Sequence, residues 1–283
     1  MREVCSRARA GRGLLCVAAS VWLGCGDSAT SAPLLGDCTT AACTVSPGGG
    51  GGSQVVAVPD GGGIRDAATP SDVVDLHLTI AELVDASFFQ SAPFTGPVLV
   101  SAFARDGQLE SAADAAVVGS GLLAGVPAGL DWFGIEPASG ASAMTPTLEP
   151  SMFTTLDPTV ILHVVSTEAL GLIRVDGPSW SPDRDRASVV LVFLRDGRPR
   201  AGVTMVGPVG IDVIYDVGQP FYTALTDTTG AAGVVIVRDI EGAGIYPALT
   251  PMTLQYRVAT TTLPLQLFLA RGFVTWVEVG VSE

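Results

Sequence analysis

From Asp72 onward the chain carries apolar side chains in short alternating runs. Val74, Leu76, Leu78 and Ile80 alternate with Asp75, His77 and Thr79, the two-residue period of a strand with one buried face. The same chemistry predicts strands at 97–104, 130–136, 159–165, 187–194, 201–206, 211–217, 232–238, 252–259, 263–269 and 273–281. Each is rich in Val, Leu, Ile, Thr and Phe and is bounded by Gly, Pro or Asp turns. Ser166 to Leu172 is a short helix candidate. Many short strands without a helical period predict an all-β body of one or two Greek-key sandwiches.

Two runs do not alternate. Val189 to Leu194 are six consecutive apolar residues, and Val160 to Val165 are broken only by His163. Such strands are covered on both faces. In a sandwich, that requires something packed on the outer face, either another part of this chain or another chain.

A faint internal repeat suggests two domains, 72–170 and 183–283. Val98 to Gly107 parallels Val189 to Gly197, each ending in Arg-Asp-Gly, and Thr154-Thr155-Leu156 parallels Thr261-Thr262-Leu263. The order is kept and the spacing is not. Val-rich strands and Asp-Gly turns also produce such matches by chance.

The region before residue 72 has a different character. Arg2, Arg7, Arg9 and Arg12 precede an apolar run, Gly13 to Leu23, of the length of a secretion-signal core. A permanent membrane helix needs about 20 apolar residues, so this run is too short to be one. Residues 1–24 are therefore expected to be a signal peptide. The run ends in Leu23-Gly24-Cys25-Gly26-Asp27, which resembles the lipobox of bacterial lipoproteins. It departs from that pattern at Trp22, where the family usually has Leu. The resemblance implies lipid attachment at Cys25, and a non-lipidated signal cleaved nearby is the alternative. Residues 25–71 read as a flexible tether, with Gly48 to Gly52 and Gly61 to Gly63 as glycine runs. Its 46 residues after Cys25 would span about 35–40 Å as a coil. Cys5 and Cys16 lie in the signal. Cys38 and Cys43 remain as an expected disulfide that closes a small loop in an oxidising compartment. Without a nearby His they make at best half of a zinc site.

Charge narrows the partners. All 15 basic residues are Arg, and the chain has neither Lys nor Asn, so it contains no Asn-linked glycosylation acceptor. Without residues 1–24 the balance is 11 Arg against 27 Asp and Glu, a formal −16. Such a body repels phosphate backbones, so nucleic acid is not an expected partner.

Residues 187–238 carry a second resemblance. Gly197-Arg198-Pro199-Arg200-Ala201-Gly202-Val203 and Thr226-Asp227-Thr228-Thr229-Gly230, the latter followed by Val234-Val235-Ile236, are similar to turn and strand motifs of carboxypeptidase-regulatory-like, transthyretin-like domains. Gly272 to Val277 is similar to their last strand. The resemblance covers about a third of the chain. It implies a seven-stranded transthyretin-like or Ig-like sandwich, used as a spacer or recognition module, and no catalytic residue. Asp227 is expected to cap its own turn.

Candidate chemistry is sparse. His77 falls on the polar face of its strand and reads as solvated, whereas His163 reads as a satisfied, partly buried histidine. Gly119-Ser120-Gly121-Leu122-Leu123-Ala124 fits a dinucleotide-loop pattern. The helix that gives that pattern its meaning is broken by Gly125, Pro127 and Gly129. Asp176, Asp183 and Asp185 could cluster oxygens for calcium, but Arg184 and Arg186 are interleaved. No catalytic, cofactor-binding or metal site is assigned. The expectation is an exported, lipid-anchored envelope protein, on the outer membrane or a periplasmic or cell-surface face. It would act as a non-enzymatic binding or structural module, with another envelope protein or a glycan as partner. An accessory subunit of an envelope assembly, or an exported hydrolase with an unrecognised site, are the alternatives.

Overall fold

The structure is a computed structural model that describes residues 73–113, 116–138, 144–207 and 210–282. The expected signal peptide (1–24), the expected tether (25–71), and with them Cys25, Cys38 and Cys43, lie outside the described residues. The first half holds strands β1 (Val73–Leu83), β2 (Pro97–Phe103), β3 (Leu109–Ala112), β4 (Ser120–Pro127), β5 (Gly129–Pro137), β6 (Thr147–Phe153) and β7 (Thr159–Ser166). Helix α1 (Thr167–Leu172) follows, begun by Ser166, whose hydroxyl accepts from the N–H groups of Glu168 and Ala169. The second half holds β8 (Ala187–Arg195), β9 (Val203–Gly207), β10 (Asp212–Gly218), β11 (Val234–Ile240), β12 (Thr250–Val258), β13 (Thr261–Leu269) and β14 (Val274–Gly280). Shorter strands fill the edges. The protein is all-β, as its pattern predicts.

Three of these strands escaped the pattern: the short β3, β4 and β6. β4 is Gly-rich, and it occupies the stretch that fits the dinucleotide loop. β6 contains Pro150 and the buried Glu149, so it reads as neither alternating nor apolar.

One long sheet runs through the molecule in the order β3-β2-β5-β6-β14-β8-β11-β10. The sheet β4-β1-β7 covers one face of its first half. Leu76, Leu78 and Ile80 of β1 and Val160, Leu162 and Val164 of β7 meet Val98 and Val100 of β2 and Phe133 and Ile135 of β5 there. The sheet β9-β12-β13 covers the other face of the second half. Leu254, Tyr256, Leu265 and Leu267 pack on Val189, Leu191, Phe193, Val235 and Val237.

β8 lies where the two covers overlap. Val189, Leu191 and Phe193 face the β9-β12-β13 layer. Val190, Val192 and Leu194 face Leu83, Phe88, Val165, Leu170 of α1, Ile173 and Trp180. The outer cover of the apolar strand is therefore this chain's own first half and the segment after it. The halves also meet on the other face, where Trp132 and Phe268 stack edge to face at 5.5 Å and Phe103 meets Tyr246 at 5.6 Å.

The Asp106-Gly107 and Asp196-Gly197 turns both follow core strands, and both glycines have positive φ, at 84° and 70°. The second element of the repeat is not equivalent in space. Thr154 to Leu156 joins β6 to β7, which lie in different layers, whereas Thr261 to Leu263 begins one arm of the β12-β13 hairpin.

Candidate functional site

The two histidines part company in the structure. His77 is exposed on β1, and His163 on β7 is 4% exposed. His163 belongs to a seam of side chains closing the first sandwich. Its strand pairs with β1 on one side and turns its other edge toward β6. β6 supplies side chains rather than backbone to that edge. The Glu149 carboxylate accepts the His163 backbone N–H at 2.6 Å, and Thr147 Oγ1 accepts the Val165 N–H at 3.2 Å. Thr147 and Glu149 are two residues apart and so share a face of β6, matching alternate edge donors of β7.

The second Glu149 oxygen lies 3.2 Å from His163 Nδ1. The imidazole stacks at 4.8 Å on Trp276 of β14. Burial pushes the Glu149 carboxyl up, against the opposing pull of His163. Burial pulls the His163 imidazole down, but the Glu149 carboxylate, its hydrogen bond and Glu278 together raise it above the ordinary histidine value. Burial also pushes Glu278 up to about 7. A carboxylate beside an imidazole is an acid–base pair, but this one is enclosed and is spent on holding β7.

A second buried carboxylate organises the region of the carboxypeptidase-regulatory-like resemblance. Asp216 of β10 is fully buried. Its Oδ2 accepts the N–H groups of Gly230 at 3.0 Å and Val234 at 2.9 Å, and its Oδ1 accepts that of Ala232 at 3.0 Å. Sequence reasoning missed Asp216. The residue expected to cap the turn, Asp227, is exposed, and Thr226 Oγ1 accepts the Thr228 N–H at 3.4 Å instead. Thr229 ties the two motifs together: its hydroxyl donates to Arg200 O and accepts from Val203 N–H, both at 3.0 Å. A Cβ on Gly230 would stand 2.6 Å from the Asp216 carbonyl and carboxylate, so this glycine is required by close approach.

Asp131 of β5 is 5% exposed, and its Oδ2 has no hydrogen-bond partner among the described residues. Burial, with Glu110 of β3 nearby, raises it to about 7 against the pull of Arg105. Of the three aspartates weighed for calcium, Asp176 and Asp183 turn their carboxylates to different partners. Asp176 accepts from Thr223 Oγ1 at 2.7 Å, and Asp183 accepts the Asp185 N–H at 2.9 Å. Arg186 lies 3.7 Å from Asp183 and 2.9 Å from Glu241. Among the described residues, no group of three His, Cys, Asp or Glu is placed to hold a metal ion. Gly119 forms the turn into β4, and the residues after it are strand.

Among the described residues, the surface carries shallow grooves, of which two stand out. One of about 250 Å³ opens between β9 and β10, lined by Met205, Val206, Ile211, Val213, Tyr215 and Leu254. The other, of about 330 Å³, is lined by Asp85, Phe89, Gln90, Pro199, Gln219 and Ala232.

No family model matches the chain, and no curated protein matches it. Among solved structures it is similar to the Bacillus anthracis TIE protein, at 10% identity and a TM-score of 0.21, over 74% of this chain. The match spans about a third of that protein, 35% of its length. It is also similar to a streptococcal ancillary pilin, at 10% identity and a TM-score of 0.22, over 73% of this chain and 68% of the pilin. The Porphyromonas gingivalis fimbrial anchor protein Mfa2 matches at 10% identity and a TM-score of 0.23, over 65% of this chain and 78% of that one. TM-scores this low do not superpose whole folds, and the chain's architecture stands on its own strand order.

Proposed function

We propose that the chain is an exported bacterial envelope protein, anchored by a lipid on Cys25, that presents a rigid double sandwich as a non-enzymatic binding or structural module. The observation that carries this reading is the use of its acid–base side chains. Glu149, His163 and Asp216 are enclosed and hydrogen-bonded to backbone or to each other, so they hold strands. Export is supported by the basic start, the apolar run and Leu23-Gly24-Cys25. For 183–283 we propose a carboxypeptidase-regulatory-like sandwich. Its support is that Gly230, Thr229 and the 197–203 turn do structural work together. A partner, another envelope protein or a glycan, would meet the exposed surface of this body.

Cell fractionation tests the anchoring. Cys25→Ser should move the protein from the membrane to the soluble fraction, and the wild-type N-terminal peptide should carry acyl mass. Retention of the variant on washed membranes overturns the lipid reading. Pull-down from detergent-solubilised membranes then separates a free-standing module from a subunit of a larger assembly.

A further inference from the structure

The long sheet crosses from one half to the other at a narrow fork. β6 pairs with β5 along its whole length, but with β14 only where Thr147 and Leu148 face Val274 and Thr275. Glu149 is the first residue beyond the fork. It holds the His163 backbone N–H at 2.6 Å and lies 3.2 Å from Nδ1, while the His163 ring rests on Trp276 at 4.8 Å. Glu278 follows Trp276 by two residues, so both point to the same face of β14, and its charge acts on His163 and Glu149. The charged groups that bear on His163 thus come from β6 and β14. On β1 its cross-strand partner is Ala81, which carries no charge.

We propose that Glu149, His163 and Glu278 form a proton-set clamp that holds β6 and β7 of the first half against β14 of the second. One proton held between Glu149 and His163 and another on Glu278 leave the buried cluster without net charge. Loss of the Glu278 proton places an uncompensated negative charge beside Glu149. Loss of the second proton leaves two carboxylates around a neutral imidazole. Like charges in a poorly solvated site repel strongly, and the fork is the place where little backbone pairing resists them. All three groups hold their protons more tightly in the fold than in the unfolded chain. The contribution of Glu278 to the clamp is therefore fully present below about pH 4.5, its ordinary value, and is lost as pH rises through about 7, where it titrates. The proposal does not depend on lipid anchoring.

Hydrogen exchange on the purified chain, corrected for intrinsic rates, tests it between pH 5.5 and 8.5. Protection of 147–149, 163–165 and 274–278 should fall about tenfold or more across that range, while β12 and β13 keep theirs. Glu278→Gln, a conservative change at a half-buried site, should flatten this dependence. In a His77→Gln background only one histidine remains. Its NMR titration midpoint should lie above the usual value of about 6.5 and fall when Glu278→Gln is added. PH-independent protection at the fork, or the same pH profile in Glu278→Gln, overturns the clamp.

Discussion

At the scale of single residues, the decisive groups are carboxylates that serve backbone donors. Asp216, itself fully buried, satisfies three N–H groups of the loop that ends at Val234. Asp216→Ala would leave those donors unpaired at about 1–3 kcal/mol each, partly relieved by relaxation, so a loss of about 4 kcal/mol in urea unfolding is expected. Asp216→Asn should cost nearly as much, because an amide replaces one accepting oxygen with a donor that faces other donors. Near-wild-type stability of either variant would show that the loop is held by its turns alone. Little of this was legible in the sequence. Asp216 sits in Tyr-Asp-Val, which reads as an ordinary strand end, and its partners lie 14 to 18 residues away. Gly230 and Thr229 were visible as motif residues, but the group they serve was not.

Among the elements, the contrast between β8 and β12 is the clearest link from pattern to packing. β12 alternates, with Leu254, Tyr256 and Val258 buried and Gln255 and Arg257 exposed, because only one of its faces is covered. β8 is buried from Ala187 to Leu194, because layers press on it from both sides. Leu191→Asp and Val192→Asp should therefore each destabilise the protein by about 4 kcal/mol or more in chemical denaturation, since either face buries the new charge. Gln255→Asp should change stability by less than about 0.5 kcal/mol. A silent substitution at 191 or 192 would refute two-sided burial. The apolar run announced the double cover but not its source. The identity of the cover depends on contacts between β8, α1 and β12 that are far apart in sequence, and periodicity is silent on such pairings. β6 was hidden for a related reason. Its buried Glu149 and Thr147 look polar in sequence and become interior because β7 turns toward them an edge whose N–H groups their side chains meet.

At the scale of the whole molecule, buried carboxyls set the response to pH. Burial raises Asp131, Glu110, Glu136, Glu149 and Glu278 alike, with Asp131 and Glu278 at about 7. Groups raised on folding contribute stability that is present below their unfolded values, about 4, and lost as pH rises through their folded ones. The excess of acid over base adds repulsion in the same direction. The melting temperature should therefore be higher at pH 5 than at pH 8. Asp131→Asn, which cannot ionise, should narrow the difference, and a Tm that climbs toward pH 8 would contradict this account. Finally, the order of the strands bears on how the body carries a mechanical load. Among the described strands the first, β1, runs parallel to β7, and the last, β14, runs parallel to β8. Tension between the two chain ends enters each pair at opposite ends of its two strands. It pulls them past one another, loading the cross-strand bonds together instead of peeling them one at a time. A body hung from a surface by its N-terminus and pulled at its far end would thus resist as a shear joint in each half.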